Sequence, residues 1–363
     1  MICIPPSYLA SRQIFLAQAS AAGAHTGSFL HGVDAESDVP LITDVALLGA
    51  KDAQVMVVMS SGIHGVEGYA GAACQVHFME RYRSVYRRPQ IAFLLVHAVN
   101  PWGFLHDRRV TEENVDLNRN FIEFGRAVAP VSRYSIYHDR LVSNYKPLPY
   151  GLWNEVKLIA GAVTPKRWKA AQAAITTGQY THPDGLFFGG TGPCRSRVIW
   201  EEILRTYVTD CKCAVLLDIH TGLGKRGAAE LVSYLPSFSE QFKHINSWFS
   251  GRLHSMATGQ SVSAAVEGAM IAAFCRATPA RSYAIGLEFG TKAPLAVLNA
   301  LRADQWCRNN QLAPREKIGR RVRENLKNAF VATDSAWCRQ VTRHFDQVMD
   351  ELVDAAEKQP CSD

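Results

Sequence analysis

The 363-residue chain has no run approaching the roughly 20 apolar residues that a membrane-spanning helix needs, so no membrane partner is expected. Its first residues, Met1-Ile2-Cys3-Ile4-Pro5-Pro6, lack a basic stretch followed by a long apolar core, and no secretory signal is expected there. Basic residues exceed acidic ones by six, yet they occur as scattered singles and pairs such as Arg87-Arg88 and Arg108-Arg109. The clearest cluster runs from Arg315 to Arg323, too little to call for a nucleic-acid partner. The nine cysteines are odd in number and irregularly spaced, which suits a reducing compartment better than a disulfide framework. Cys211-Lys212-Cys213 is followed by no second Cys/His pair at finger spacing, so it reads as two thiols at a strand start. The expected location is the cytoplasm. There is no internal repeat and no low-complexity segment.

What is present is an ordinary globular composition, with 47% hydrophobic and 20% charged residues over a length that suits one large α/β domain. Residues 7 to 23 read as a short helix, followed by a glycine-bearing segment and a polar connection. Gln54 to Met59, Ile91 to Val99, Cys213 to Ile219 and Tyr283 to Phe289 are apolar runs of strand length, and Tyr69 to Arg83 has helical spacing. Strands rich in Val, Ile and Leu that alternate with helices imply a mainly parallel sheet covered on both faces.

Residues 125–200 fit that alternation poorly. They hold Pro130, Pro147, Pro149, Pro165, Pro183 and Pro193, with one helix expected over Trp168 to Thr176. A long irregular stretch inside a compact domain is usually a lid or pocket wall, so this segment is expected to shape a pocket. The region from 310 to 358 reads as amphipathic helices. Phe330, Trp337, Val341, Phe345, Val348 and Leu352 form a stripe for core packing or a subunit contact. The oligomeric state is not legible.

Chemistry concentrates after the apolar runs. Ser60-Ser61-Gly62-Ile63-His64-Gly65-Val66-Glu67-Gly68 sets an imidazole and a carboxylate three residues apart at the mouth of a strand. Leu216-Leu217-Asp218-Ile219-His220-Thr221-Gly222 ends a second strand with another imidazole. A hydrolytic zinc site commonly uses two His and one Glu with an open fourth position, so His64, Glu67 and His220 are the candidate ligands. The segment Asp107 to Phe121 and the strand Ile285-Gly286-Leu287-Glu288-Phe289-Gly290-Thr291 end at the same sheet edge, where open α/β sheets bind ligands. Glu288 taken alone suits a structural ion pair as well as a catalytic role. Gly222-Leu223-Gly224-Lys225-Arg226-Gly227 matches G-x-G-x-x-G, but Pro236 soon interrupts the next segment and no βαβ unit with a ribose-binding acid is evident.

Taken together, H-x-x-E, R-x-T-x-x-x-V-D-L-N-R-N-F, D-I-H-T-G and G-L-E-F-G-T resemble the zinc carboxypeptidase superfamily, the M14 metallopeptidases. The strings S-G-I-H-G-V-E-G, N-P-W-G-F and D-I-H-T-G-L-G are similar to its bacterial branch known as domain of unknown function 2817, over residues 54 to 292. The resemblance implies a single catalytic domain with a mixed, mostly parallel twisted sheet of about eight strands flanked by helices. It implies one zinc ion on His64, Glu67 and His220, with Glu288 as general base and Arg109, or its neighbour Arg108, as oxyanion donor. It implies Asn118 and Arg119 as the clamp for a substrate carboxylate, and Asp116 as the group that orients His64. Asp218 is the other candidate for such orientation, toward His220. A tyrosine covering the substrate is also part of the family pattern, and Tyr234 and Tyr283 are available without a motif to select either.

The function so implied is hydrolysis of an amide bond next to a free carboxylate in a small peptide. A related reading keeps the zinc and changes the substrate to an N-acyl amino acid, as in aspartoacylase and succinylglutamate desuccinylase relatives. A third is a non-catalytic metal- or ligand-binding module, against which the retained Glu288 and Arg109 argue.

Overall fold

The computed structural model of the chain describes residues 1–125, 133–143, 165–261, 266–278, 281–312 and 316–358. Eight strands form one sheet: β1 (His25–Val33), β2 (Pro40–Leu48), β3 (Val55–Ser61), β4 (Ile91–His97), β5 (Cys213–Thr221), β6 (Ala229–Ser233), β7 (Leu253–Ser255) and β8 (Arg281–Phe289). Their order is β1-β2-β4-β3-β5-β8-β6-β7. The central four, β4-β3-β5-β8, are parallel, whereas β1, β2 and β6 join by antiparallel pairing. This is the mixed, largely parallel α/β architecture expected of the chain.

Period-two alternation within the apolar runs explains the three layers. Val55, Val57 and Met59 of β3, with Val215 and Leu217 of β5, face one core. The helices Tyr8–Ala22, Gly68–Arg81 and Ser335–Lys358 supply Phe15, Phe78, Trp337, Val341 and Phe345 to that core. Met56, Val58, Ala214 and Leu216 face the other, beneath Ile199, Trp200 and Ile203 of the helix Arg195–Tyr207 and Phe274 of the helix Met270–Ala277. Burying each such side chain contributes about 1.5–3 kcal/mol, so the sheet centre is fixed from both sides. Strand side chains at positions of one parity therefore continue, past the sheet centre, toward one end of one face. On β5 that series runs Ala214, Leu216, Asp218, His220, and on β8 it runs Ala284, Gly286, Glu288.

The amphipathic stripe at the C-terminus packs into the first core along the 24-residue helix Ser335–Lys358. The helix expected over Trp168 to Thr176 spans Pro165–Thr176. Pro130, Pro147 and Pro149 lie outside the described residues, as do Arg315 and the interval 144–164. The antiparallel hairpin of β1 and β2 was not expected from the apolar pattern. β2 carries Asp44 fully buried at its centre, held by Arg12 Nε at 2.6 Å and Ser28 Oγ at 2.5 Å. β1 lies at the sheet edge with alternating exposed positions and a register shift between Leu30 and Gly32. Among the described residues no helix is long and apolar enough to cross a membrane.

His97, at the end of β4, is fully buried, with Nε2 2.8 Å from Ser11 Oγ and its ring stacked on Phe15 at 4.9 Å. Burial pushes its pKa down from 6.5 to about 4, despite the opposing field of Asp44. The unfolded chain binds this proton below pH 6.5 and the folded chain does not. Stability is therefore whole above pH 6.5 and falls by about 1.4 kcal/mol per pH unit down to pH 4 from this group. Urea unfolding of wild type and His97→Gln between pH 7 and 4.5 is expected to show a shallower acid loss in the variant; parallel curves would remove His97 as the cause.

Candidate metal centre and its cavity

The C-terminal ends of β3, β5 and β8 lie side by side, and the sheet order reverses around β3, which has β4 on one side and β5 on the other. Such a switch point leaves a crevice beyond the strand ends. After β3 the chain turns through Gly62, whose φ of +69° suits glycine, and enters a single 3-10 turn at Gly65–Glu67. A Cβ on Gly65 would sit 2.0 Å from the carbonyl carbon of Gly103, so only glycine lets this turn press onto the helix Pro101–Leu105. The N–H of Val66 donates to the Arg108 carbonyl at 2.8 Å and that of Gly65 to the Arg109 carbonyl at 3.3 Å. The H-x-x-E turn is thereby fastened to the segment that carries the arginines.

His64, Glu67 and His220 converge, all three buried, with one ligand-type atom of each within 4.8 Å of the others. The Nδ1 atoms of both imidazoles face the Glu67 carboxylate, His64 at 2.9 Å from Oε1 and His220 at 3.0 Å from Oε2. Each Nε2 faces away, toward Asp116 Oδ1 at 3.1 Å for His64 and Asp218 Oδ2 at 2.6 Å for His220. Carboxylates at both Nε2 atoms select the tautomer that points the Nδ1 lone pairs inward. Among the described residues the buried His64 Nδ1 has no hydrogen-bond partner, although Glu67 Oε1 lies 2.9 Å away. Two inward lone pairs around a carboxylate repel one another unless a cation sits among them. Burial raises the pKa of Glu67, but His64 and His220 outweigh it and hold the group below the usual carboxylate range. Burial lowers that of His220, but Asp218 and Glu67 reverse the effect and raise it well above its ordinary value. The donor set, two imidazoles and one carboxylate whose field favours positive charge, fits a zinc ion.

Arg109 and Arg108 point in different directions. Arg109 enters the site, its Nη1 donating to Glu67 Oε1 and its Nε to Asp116 Oδ2, both at 3.1 Å. Arg108 turns away and donates through Nε to Asp304 Oδ2 at 3.0 Å. Asp116 also accepts from the Asn118 N–H and so serves three neighbours at once, and charge attraction from Arg109, Arg119 and His64 overcomes burial to keep it ionised. Glu288 is the register partner of His220 across β5 and β8, and the N–H of Leu223 donates to its Oε1 at 3.0 Å. Burial, and next the charge of Glu67, push its pKa up from 4.5 to about 7 against the pull of His220 and Arg109. A buried carboxylate at that value suits proton transfer near neutrality.

These groups open into one cavity of about 190 Å³ that also includes Asn118 and Arg119 in its walls. The Asn118 Oδ1 accepts from the N–H of Met270 at 2.9 Å. The Arg119 Nε and Nη2 both donate to the carbonyl of Thr176, at 3.0 and 2.6 Å, and its Nη1 donates to the Asn118 carbonyl at 2.9 Å. Neither Tyr234 nor Tyr283 is in the lining. Tyr234 donates to the Val266 carbonyl at 2.8 Å, and Tyr283 packs at the far end of β8 against His244 and Trp248. Tyr137 and Arg140 line the cavity instead, with Ile175, Thr176 and Phe187. No sequence motif marks Tyr137 or Arg140, and no local pattern points to either. Much of the remaining lining is apolar and includes Val297, Leu298, Leu301 and Phe330.

The sequence profile of a family described as a protein of unknown function, DUF2817, matches residues 5–344. The chain belongs to that family. No curated protein matches this DUF2817 member in sequence. Its chain trace is similar to carboxypeptidase A from Helicoverpa armigera, at 12% identity and a TM-score of 0.48, covering 89% of this chain and 73% of that one. It is also similar to a metallo-carboxypeptidase from Burkholderia cenocepacia, at 12% identity and a TM-score of 0.47, covering 97% and 70%. The metallo-carboxypeptidase from Pseudomonas aeruginosa, solved with (2-guanidinoethylmercapto)succinic acid, gives the same identity, TM-score and coverage.

The geometry yields a metal-binding expectation for the DUF2817 member. Wild type should take up about one zinc per chain, and His64→Ala with His220→Ala should take up none while the fold persists. Asp218→Asn should weaken zinc about 10–100-fold, because the His220 ring loses its orienting acceptor. Zinc titration with a chromophoric chelator as competitor reads both; unchanged affinity in Asp218→Asn would assign that carboxylate to Ser60 alone, whose Oγ donates to it at 2.7 Å.

Proposed function

We propose that the protein is a zinc-dependent hydrolase that cleaves an amide bond next to a free carboxylate, in a small peptide or an N-acyl amino acid. The observation that carries the reading is the inward pair of Nδ1 atoms on the Glu67 carboxylate, each imidazole backed by its own aspartate, beside Glu288. Bound by His64, Glu67 and His220, zinc would supply a Lewis acid for activating water and polarising a carbonyl.

The chain's own groups account for the remaining tasks. Glu288, with its pKa raised to about 7, accepts a proton from water at one carboxylate oxygen and returns it to the leaving amine. The Leu223 N–H on Oε1 fixes the orientation of that carboxylate. Arg109 brings a guanidinium to the same cavity, where it stabilises negative charge on the carbonyl oxygen as the carbon becomes tetrahedral. Asp116 holds both His64 and Arg109 and so couples their positions. The apolar wall of Val297, Leu298, Leu301 and Phe330 excludes water and fits an apolar side chain or acyl group. The segments 133–143 and 165–176 contribute to the walls, which supports reading residues 125–200 as pocket-shaping.

Glu288→Gln tests the reading. It keeps the shape and removes the base, so turnover should fall by about 10²–10⁴-fold while zinc content stays at the wild-type level. Dipeptides with a free C-terminus and N-acyl amino acids, assayed side by side, identify the better substrate class. Turnover that survives in Glu288→Gln would remove it as the base, and the absence of turnover on every free-carboxylate amide in zinc-loaded wild type would sink the hydrolase reading.

A further inference from the structure

Among the described residues three arginines line the cavity, and two of them are already engaged. Arg109 is tied to Glu67 and Asp116. The planar edge of Arg119 that could fork a carboxylate, Nε with Nη2, is closed on the Thr176 carbonyl, and Nη1 is on the Asn118 carbonyl. Arg140 differs: among the described residues its guanidinium makes no hydrogen bond and no ion pair, and its backbone carbonyl alone is engaged. An exposed arginine without a partner is ordinary on a protein surface, but this one lines the cavity that holds the metal centre.

Its mounting is also unusual. Arg302 is 0% exposed, and its Nη2 donates to the Arg140 carbonyl at 3.0 Å while its Nε donates to the Leu141 carbonyl at 3.1 Å. Burying a guanidinium is costly unless it is well bonded, and here it fixes the turn that presents Arg140. The same turn sinks Leu141 and Val142 into the apolar cluster with Val297 and Leu301. At its other end, the Tyr134 hydroxyl accepts from the Leu186 N–H at 2.7 Å. A short segment is thus fastened at both ends, with Tyr137 and Arg140 between them facing the cavity.

We propose that Arg140 is the anchor for the free carboxylate of the substrate, through a bidentate pair at the cavity mouth, and that Arg119 is a structural clamp between the Leu117–Arg119 turn and the C-terminus of the helix Pro165–Thr176. The proposal rests on the hydrolase reading and makes Arg140, rather than the Asn118–Arg119 pair, the determinant of carboxylate specificity. Tyr137, one helical turn away on the same segment, lies beside it in the cavity lining.

The test is binding rather than turnover, in zinc-loaded Glu288→Gln so that nothing is consumed. Calorimetry compares N-acetyl-L-phenylalanine with its C-terminal amide. The parent is expected to prefer the acid. Adding Arg140→Ala should weaken the acid about tenfold to hundredfold and the amide less than twofold, the size of a charge-assisted hydrogen-bonded pair. Arg140→Lys should restore part of the preference, because it keeps the charge without the fork. Thermal melting of Arg140→Ala should match the parent, as the side chain is exposed. An acid preference kept in Arg140→Ala and lost in Arg119→Lys would overturn the proposal and leave the hydrolase reading standing. A parent that binds acid and amide equally would overturn both.

Discussion

Glu67 places a carboxylate out of reach of bulk water, between two imidazoles that turn the same kind of nitrogen toward it. Most of the site follows from making that burial tolerable. The His220 ring and the Thr221 N–H meet one oxygen; Arg109 and the His64 ring meet the other. Each imidazole is in turn backed by an aspartate that is fully buried itself, so negative charges outnumber fixed positive ones within the first two layers of side chains. A divalent cation resolves that imbalance, whereas a proton resolves only part of it. The same excess of negative charge acts on Glu288, whose raised pKa follows from burial and from the neighbouring Glu67 carboxylate.

Which parts of this were legible beforehand has a physical explanation. The central strands were readable because they are covered on both faces, and two-sided burial leaves an uninterrupted apolar run in β3, β4 and β5. The β1–β2 hairpin was not, because one face carries the buried Asp44 with its partners and the outer strand is half in solvent. His64, Glu67, His220 and Glu288 could be found because parallel strands end together, so residues just past each apolar run must meet. Asp218 was ambiguous on paper, yet it lies two residues before His220, and strand side chains two apart share a face. Arg108 and Arg109 could not be separated by pattern. Their backbone carbonyls both hold the H-x-x-E turn, and only the turn's geometry sends one side chain to Asp304 and the other into the site.

Tyr137, Arg140 and the apolar wall belong to a different category. Tyr137 and Arg140 sit on a segment whose Leu141 and Val142 pack with Val297 and Leu301, and the helix Pro294–Asn309 with Phe330 supplies the apolar wall. Nothing in their local spacing carries that information, because a cavity wall is a property of several elements at once. His220 and Glu288 thus sit on the sheet and His64 and Glu67 on the turn just after β3, whereas Tyr137 and Arg140 sit on a segment outside it.

The outer edges of the sheet have a consequence unconnected with catalysis. An open strand edge is a row of unpaired amide groups that invites another chain to add a strand. Here the register shift between Leu30 and Gly32 breaks the ladder of β1 midway, and at the opposite edge β7 is only three residues long. Among the described residues neither border offers a straight template for intermolecular pairing, although Leu30 and Val33 are exposed there. The interruption of β1 thereby disfavours strand addition at that edge, at a position remote from the His64–Glu67–His220 cluster.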